Sequence, residues 1–530
     1  SNVSLSLGNT LAEQDSASSF KSLFATQAIP VTGKWVWETK LGGGDPFGGW
    51  LAVGISSHNI LTSAGRSGTG MVMFDYRDDG INSIRIFNQT TSDSVFQAVS
   101  FSNGEAFQFL VDSDAEELQL YVNGSKQGST VDISGLDKPY KIMGTIYSGG
   151  TADCTLVTNS ADFENSIGIA DYKTINTANL PAPTVTDSGE FFKAVTFSGT
   201  GSAQNVDTIG FRPDLLIIKS ATSAANFNWI DAVRGASELL WSNATVAQSE
   251  ETTSVTGFRD AGFSVGSDSG GYVNISGQTM AAYGFKAGGA TTSSNTDGSI
   301  TSEVTAASHG GFSIAKYTGT GANGTFGHGC SRAPKFILVR AYEQAYSWAA
   351  WHEGLTSGDY VIYLSGAAAE SDQGGGAWQS TPPSATVVTL GTQTGQNGSG
   401  QVHVCYSFAP TPGLIGVGSY TGNGSTDGPV VVVDDGASGF KPAWLMIRSI
   451  GAGNWNIVDA ARDPFNPMSD GLRVNSSIAE FSGQTMDFIA NGFKLRLSGS
   501  DYNTSSQKYI YLAFAENPFG GSDIAQAKAR

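Results

Sequence analysis

Hydrophobic positions along the chain come in short runs broken by glycine, serine, asparagine and proline. Thr32-Gly-Lys-Trp-Val-Trp-Glu-Thr-Lys40 alternates apolar and polar residues, which predicts a half-buried strand with Trp35 and Trp37 on one face. Gly49-Trp-Leu-Ala-Val-Gly-Ile55 and Leu215-Leu-Ile-Ile218 are almost continuously apolar and predict central strands. Gly70–Tyr76, Phe107–Asp114 and Leu118–Gly124 add further strands, the last closing on an Asn-Gly hairpin signal. No run approaches the roughly 18 apolar residues of a membrane helix. The pattern predicts an all-β chain.

One longer pattern occurs three times in the C-terminal two-thirds. Each copy opens on an aromatic strand and a Gly-rich turn: Phe197-Ser-Gly-Thr-Gly201, Tyr317-Thr-Gly-Thr-Gly321, Tyr420-Thr-Gly-Asn-Gly424. A proline and an apolar run with a basic end follow: Pro213–Lys219, Pro334–Arg340, Pro442–Arg448. Each copy closes on Tyr283-Gly-Phe285, Tyr406-Ser-Phe408 or Leu512-Ala-Phe514. The period of about 110 residues is the length of a small domain, not of a solenoid unit. The Gly-x-Gly turns are expected at positive φ and the proline at a strand start. The apolar run should be the central strand of a two-layer sandwich, its basic end kept in water.

The expected organisation is residues 1–168 as one β-sandwich, 169–188 as a Pro-containing linker, and repeats at 189–290, 291–413 and 414–530. These make four domains in a rod or cluster. Within the first, Gly33-Lys-Trp-Val-Trp-Glu38, Val53-Gly-Ile55, Asp112-x-Asp114, Leu118-x-Leu120 and Asn123-Gly124 occur in order. This order resembles the SPRY/concanavalin-like sandwich family, whose members are mostly binding modules without catalysis. The stretch Tyr172–Pro183, and the third repeat with Tyr420–Gly424, Gly439–Arg448 and Tyr509–Phe519, resemble virion surface proteins of tailed phages. That resemblance implies a tail-fibre-like protein of the virion, made in the host cytoplasm.

Composition narrows the partners. A net charge of −18 disfavours nucleic acid. The aromatic share of 11% is too high for a disordered chain. Three widely spaced cysteines, Cys154, Cys330 and Cys405, read as buried thiols of a reducing compartment and not as a disulfide framework. The chain opens on Ser1 apparently inside a domain, so an upstream segment is expected.

Candidate chemistry is sparse. The five histidines show no zinc spacing. Gly262-Phe-Ser-Val-Gly266 matches a nucleophile-elbow string but leads into a turn, not the helix that motif requires. Asp112 and Asp114 are too few for a calcium site and read as a turn. Asp231, His352 and Asp459 fall at one position of the three copies, with Arg234 and Arg462 three residues beyond the aspartates. They read as turn caps with a local ion pair, worth ~0–1 kcal/mol if exposed. No catalytic residue, metal or cofactor is expected.

The candidate ligand-binding residues are aromatics able to stack on sugar rings: Tyr342, Tyr346, Trp348, Trp351 and Trp378, all in the most divergent copy, with Trp50 and Trp241 as further candidates. Three functions remain open. The first is a structural and adhesive fibre protein recognising host surface polysaccharide, a homo-oligomer (a trimer among the options) contacting other virion proteins. The second is a purely structural capsid or tail decoration. The third is a glycan hydrolase, whose two carboxylates no spacing can exclude.

Overall fold

The structure, a computed structural model, describes residues 3–6, 11–14, 21–41, 49–57, 71–77, 83–88, 94–98, 105–136, 138–148, 152–158, 160–164, 171–176, 179–483, 485–499 and 501–519. It is all-β, in two compact units divided along the chain between Ala182 and Pro183. Among the described residues no helix is long and apolar enough to cross a membrane, which leaves β-barrels aside.

The first unit holds two sheets. One takes strands 3–6, 11–14, 152–157, 34–41, 106–112, 117–122 and 125–132 in that order, and the other 21–29, 140–148, 49–56, 71–77, 83–88 and 94–98. Phe74 of the second meets Phe109 of the first at 5.8 Å, and Trp37 stacks on Phe109 at 4.9 Å. Trp35 and Trp37 are buried on one face as expected, but Lys34–Leu41 is not half-exposed: Glu38 is buried as well. Its carboxylate is satisfied by Gln108 Nε2 at 2.9 Å and the Glu164 amide. The expected linker at 169–188 is shorter than its composition implies. Lys173–Thr174 pairs with Trp35–Val36, and the Asn179 side chain bonds Thr174. The Asn side chains thus fasten this stretch to the first unit's sheet.

The second unit contains the three copies. The strands needed below are, in copy 1, β1 Phe192–Ser198, β2 Leu215–Ser220, β3 Asn228–Asp231 and β4 Thr279–Phe285. In copy 2 they are β5 Ser302–Ala306, β6 Phe312–Thr318, β7 Phe336–Ala341, β8 Ala349–His352 and β9 Val402–Phe408. In copy 3 they are β10 Ile415–Thr421, β11 Phe440–Ser449, β12 Asn456–Asp459 and β13 Lys508–Pro518. In every copy the closing strand lies between the opening strand and the apolar run, giving β1-β4-β2-β3, β6-β9-β7-β8 and β10-β13-β11-β12. A smaller sheet of two or three strands covers one face of each.

The copies are not separate domains. On β2, Leu216 and Ile218 face the copy's own small sheet, whereas Leu215 and Ile217 face a core that all three copies share. β7 divides the same way, Ile337 and Val339 inward to the copy and Phe336 and Leu338 to the common core. So does β11, with Leu445 and Ile447 against Trp444 and Met446. Phe285, Phe408 and Phe514 occupy one position of the three closing strands and meet near the middle. Phe514 lies 4.9 Å from Phe285 and 6.1 Å from Phe408. This corrects the four-domain reading. A strand apolar on both faces needs a layer on each, and the second layer is supplied by the neighbouring copies. The unit is a closed ring of three sheets with approximate threefold repetition.

Pairing fixes which ends coincide. Phe192, Phe285 and Leu215 are level with one another, as are Phe312, Phe408 and Phe336, and Ile415, Phe514 and Trp444. Chain connections to and between copies leave from that end. The Gly-rich turns leave from the other, after Ser198, Thr318 and Thr421.

Candidate functional site

Two buried ion pairs of the second unit sit at seams between copies. Asp231 ends β3. Its Oδ1 accepts from the amides of Val233 and Arg234 at 3.0 and 2.9 Å, and its Oδ2 from Arg234 Nε at 2.6 Å. The same Oδ2 accepts from Tyr406 OH, on β9 of copy 2, at 2.7 Å. Asp459 repeats the arrangement, with Arg462 Nε at 2.7 Å and Tyr283 OH, from copy 1, at 2.8 Å. At the third seam the corresponding node is neutral. His352 stands for the aspartate, Leu355 for the arginine, and Leu512 of copy 3 for the tyrosine. His352 Nδ1 accepts from the Gly354 amide at 2.9 Å, and Nε2 lies 3.2 Å from Tyr511 O. The three replacements are coherent: with leucine in the tyrosine's place, a buried carboxylate would lose its cross-seam donor.

Both ion pairs are sealed, with Asp231 and Asp459 side chains at 0% exposure. The turn caps and local pairs are as expected, but they are buried and not exposed. Burial pulls the Arg234 guanidinium down, and Asp231 and Tyr406 more than offset it, so it stays charged. Burial pushes the Tyr406 and Tyr283 hydroxyls well above their usual range, so they remain donors. Burial holds His352 neutral, at about 3. These groups fix copies against one another.

The basic ends of the apolar runs are corrected too. Lys219, Arg340 and Arg448 are fully buried. Arg340 reaches the preceding copy's backbone, donating to Thr245 O at 2.9 Å and to Val246 O. Arg448 donates to Tyr363 O at 2.9 Å and Gly366 O at 3.0 Å. Lys219 is shorter and turns back to Ser220 O at 2.7 Å and Ser223 O at 3.2 Å. Burial, with Arg462 nearby, lowers it to about 8.

The Gly-rich turns are built alike. Gly201, Gly321 and Gly424 have φ of +63°, +72° and +67°, as the sequence implied. The first glycine has a different role: a Cβ on Gly199, Gly319 or Gly422 would stand 2.1, 2.4 or 2.3 Å from a facing carbonyl. That carbonyl belongs to a segment carrying a buried asparagine, which sequence reasoning missed. Asn274, Asn397 and Asn503 each accept from the turn's central amide at 2.8 Å. Their Nδ2 groups donate back to Ser202 O, Ala322 O and Ser425 O at 2.7 Å. The signal was present, since Asn-x-Ser-x-Gln recurs at 274–278, 397–401 and 503–507.

The candidate stacking aromatics are placed elsewhere. Trp348, Trp351, Trp378 and Tyr342 are buried, and this corrects their assignment to a sugar-stacking surface. Trp348 points into the shared core, 5.1 Å from Trp229, and donates from Nε1 to Trp241 O at 2.9 Å. Trp351 and Trp378 belong instead to copy 2's private core, Trp351 because alternate positions on β8 face opposite layers. Tyr342 lies under Arg234 at 5.9 Å. Tyr346 is half-buried, and its carbonyl accepts from Arg340. Trp241 is half-buried, its Nε1 on Asn228 Oδ1 at 2.9 Å. The Trp50 side chain lies outside the described residues.

Ser264 lies within a strand, bonded to Asn205 Oδ1 at 2.8 Å. Asp112 caps a turn through the amides of Asp114 and Ala115. Cys330 and Cys405 are buried free thiols, both pushed by burial to about 12; the Cys154 side chain lies outside the described residues. Among the described residues no cluster of His, Cys, Asp and Glu is placed to hold a metal.

A family described as a domain of unknown function (DUF7483) matches residues 187–518, nearly the whole second unit. No curated protein matches the chain. Solved structures resembling part of it include the SPRY domain of human HERC1, at 14% identity and a TM-score of 0.25 over 30% of this chain and 92% of that one. A human SPRY domain matches at 11% and 0.25 over 30% and 97%. The Emp46p carbohydrate recognition domain, in a potassium-bound form, matches at 14% and 0.23 over 29% and 86%.

Proposed function

We propose, for a chain that belongs to the family described as a domain of unknown function (DUF7483), a structural and adhesive role on the surface of a tailed-phage virion. The proposal includes no catalysis. The observation that carries it is the placement of the three Gly-rich turns. All three leave from one end of the ring, opposite the chain connections, and each is pinned by a buried asparagine. Such a unit offers a preorganised set of loops at low entropic cost. The chain's resemblance to phage fibre sequences supplies the virion setting, and host surface polysaccharide is the ligand class proposed.

One observation favours the second reading, a decoration protein without a glycan ligand: four of the five candidate stacking aromatics are core residues. Immunogold labelling of intact particles, with titration of host envelope polysaccharide onto the purified chain, tests both. Labelled particles and saturable polysaccharide binding support the adhesive reading. Labelled particles without binding leave only the decoration. Release of reducing ends from the polysaccharide, or unlabelled particles, would sink the proposal.

A further inference from the structure

The outer edges of the three opening strands differ in a way the repeat itself makes legible. In copy 1, Lys286 N donates to Phe191 O and Gly199 N to Gln278 O, so the odd-numbered residues of β1 bond β4. The backbone groups of Ala194 and Thr196 therefore point away from the sheet. The equivalent positions in copy 2, Ile314 and Lys316, are paired to Thr305 and Glu303 of β5, an added strand. In copy 3 the equivalent Val417 amide donates to Asp434 O at 2.9 Å, and Lys335 holds the Asp434 carboxylate at 3.0 Å. Only copy 1 has neither device among the described residues: β1 ends its sheet.

Beside that edge lies an open cavity of about 160 Å³, between copy 1 and copy 3. Gly189, Lys193 and Ala194 form one wall and Ala443, Ala460 and Ala461 the other. The small side chains leave width for a further backbone, and the slot is bounded by two copies. A lone extended segment brings no second layer to such a slot, whereas the edge of another folded sheet would.

We propose that the β1 edge is a strand-acceptor site, taking an extended segment of another polypeptide in antiparallel pairing. β5 shows the chemistry that suits such an edge: Ser-Glu-Val-Thr-Ala, a short strand of modest side chains with one glutamate. The inference rests on the geometry of the second unit and not on the virion reading, so absence of host binding leaves it intact.

The probe is a labelled peptide with the sequence of residues 301–307, titrated into the full chain by fluorescence anisotropy, with amide exchange followed at Ala194 and Thr196. Saturable binding that slows exchange at both amides is expected. Ala194→Pro and Thr196→Pro each remove an outward donor without touching the β4 ladder, and should weaken the peptide at least tenfold. Unslowed exchange under saturating peptide in the wild-type chain would overturn the proposal, and this measurement does not depend on the variants folding. So would undiminished binding to both folded proline variants. Protection that appears without peptide and grows with protein concentration would also overturn it, assigning the edge to a second copy.

Discussion

Tyr406 on the closing strand of copy 2 donates its hydroxyl to Asp231 of copy 1 at 2.7 Å, across a seam that joins two residues 175 positions apart in sequence. The contact joins a buried ion pair to a neighbouring sheet. Removing only the hydroxyl leaves a lone pair of a buried carboxylate unfilled, at a cost of about 1–3 kcal/mol. Tyr406→Phe should therefore lower the melting temperature by a few degrees. Tyr283→Phe should do the same at the Asp459 seam, and calorimetry would show two similar, nearly additive losses.

The neutral seam gives a sharper test. His352→Asp alone places a carboxylate against Leu355 and Leu512, and an unpaired buried charge costs about 3–5 kcal/mol. Adding Leu355→Arg and Leu512→Tyr rebuilds the node of the other two seams and should recover most of that loss. Denaturant unfolding of the single and triple variants measures the recovery. A triple variant no more stable than the single would show that the nodes are not interchangeable.

The pinned turns predict a uniform effect. Asn274→Ala, Asn397→Ala or Asn503→Ala strips a turn of its acceptor and two carbonyls of a donor, for about 2–3 kcal/mol each. Exchange of the Thr200, Thr320 or Asn423 amide should accelerate in the corresponding variant alone.

Acid should weaken the second unit through its neutral histidines. His352 is held at about 3, and His309 and His403 at about 4, chiefly by burial. Unfolded histidines titrate near 6.5. Between these values the unfolded chain binds more protons, so stability is complete above about pH 6.5 and is lost as pH falls. Melting temperatures from pH 7 to pH 4 should decline, with a shallower slope in His352→Gln. An unchanged slope would remove His352 from the account.

The aromatics offer a last check. Trp348→Ala empties part of the common core and should cost about 3–5 kcal/mol. Variants lacking Trp348 should lose stability in thermal melts before any selective change in polysaccharide binding appears.

The sequence by itself determined the all-β class, the threefold repetition and the glycine turns, because these follow from local periodicity and backbone sterics. It also placed Asp231, His352 and Asp459 at one position. Tertiary structure alone decided that the copies close on one another. Leu215–Ile218 reads as apolar on both faces, but periodicity cannot say whose side chains supply the second layer. The fate of Arg340, Trp348 and Asp231 followed from that closure. Residues that look like a wet strand end, a sugar platform and a local turn pair became seam contacts, since burial depends on neighbours distant in the chain.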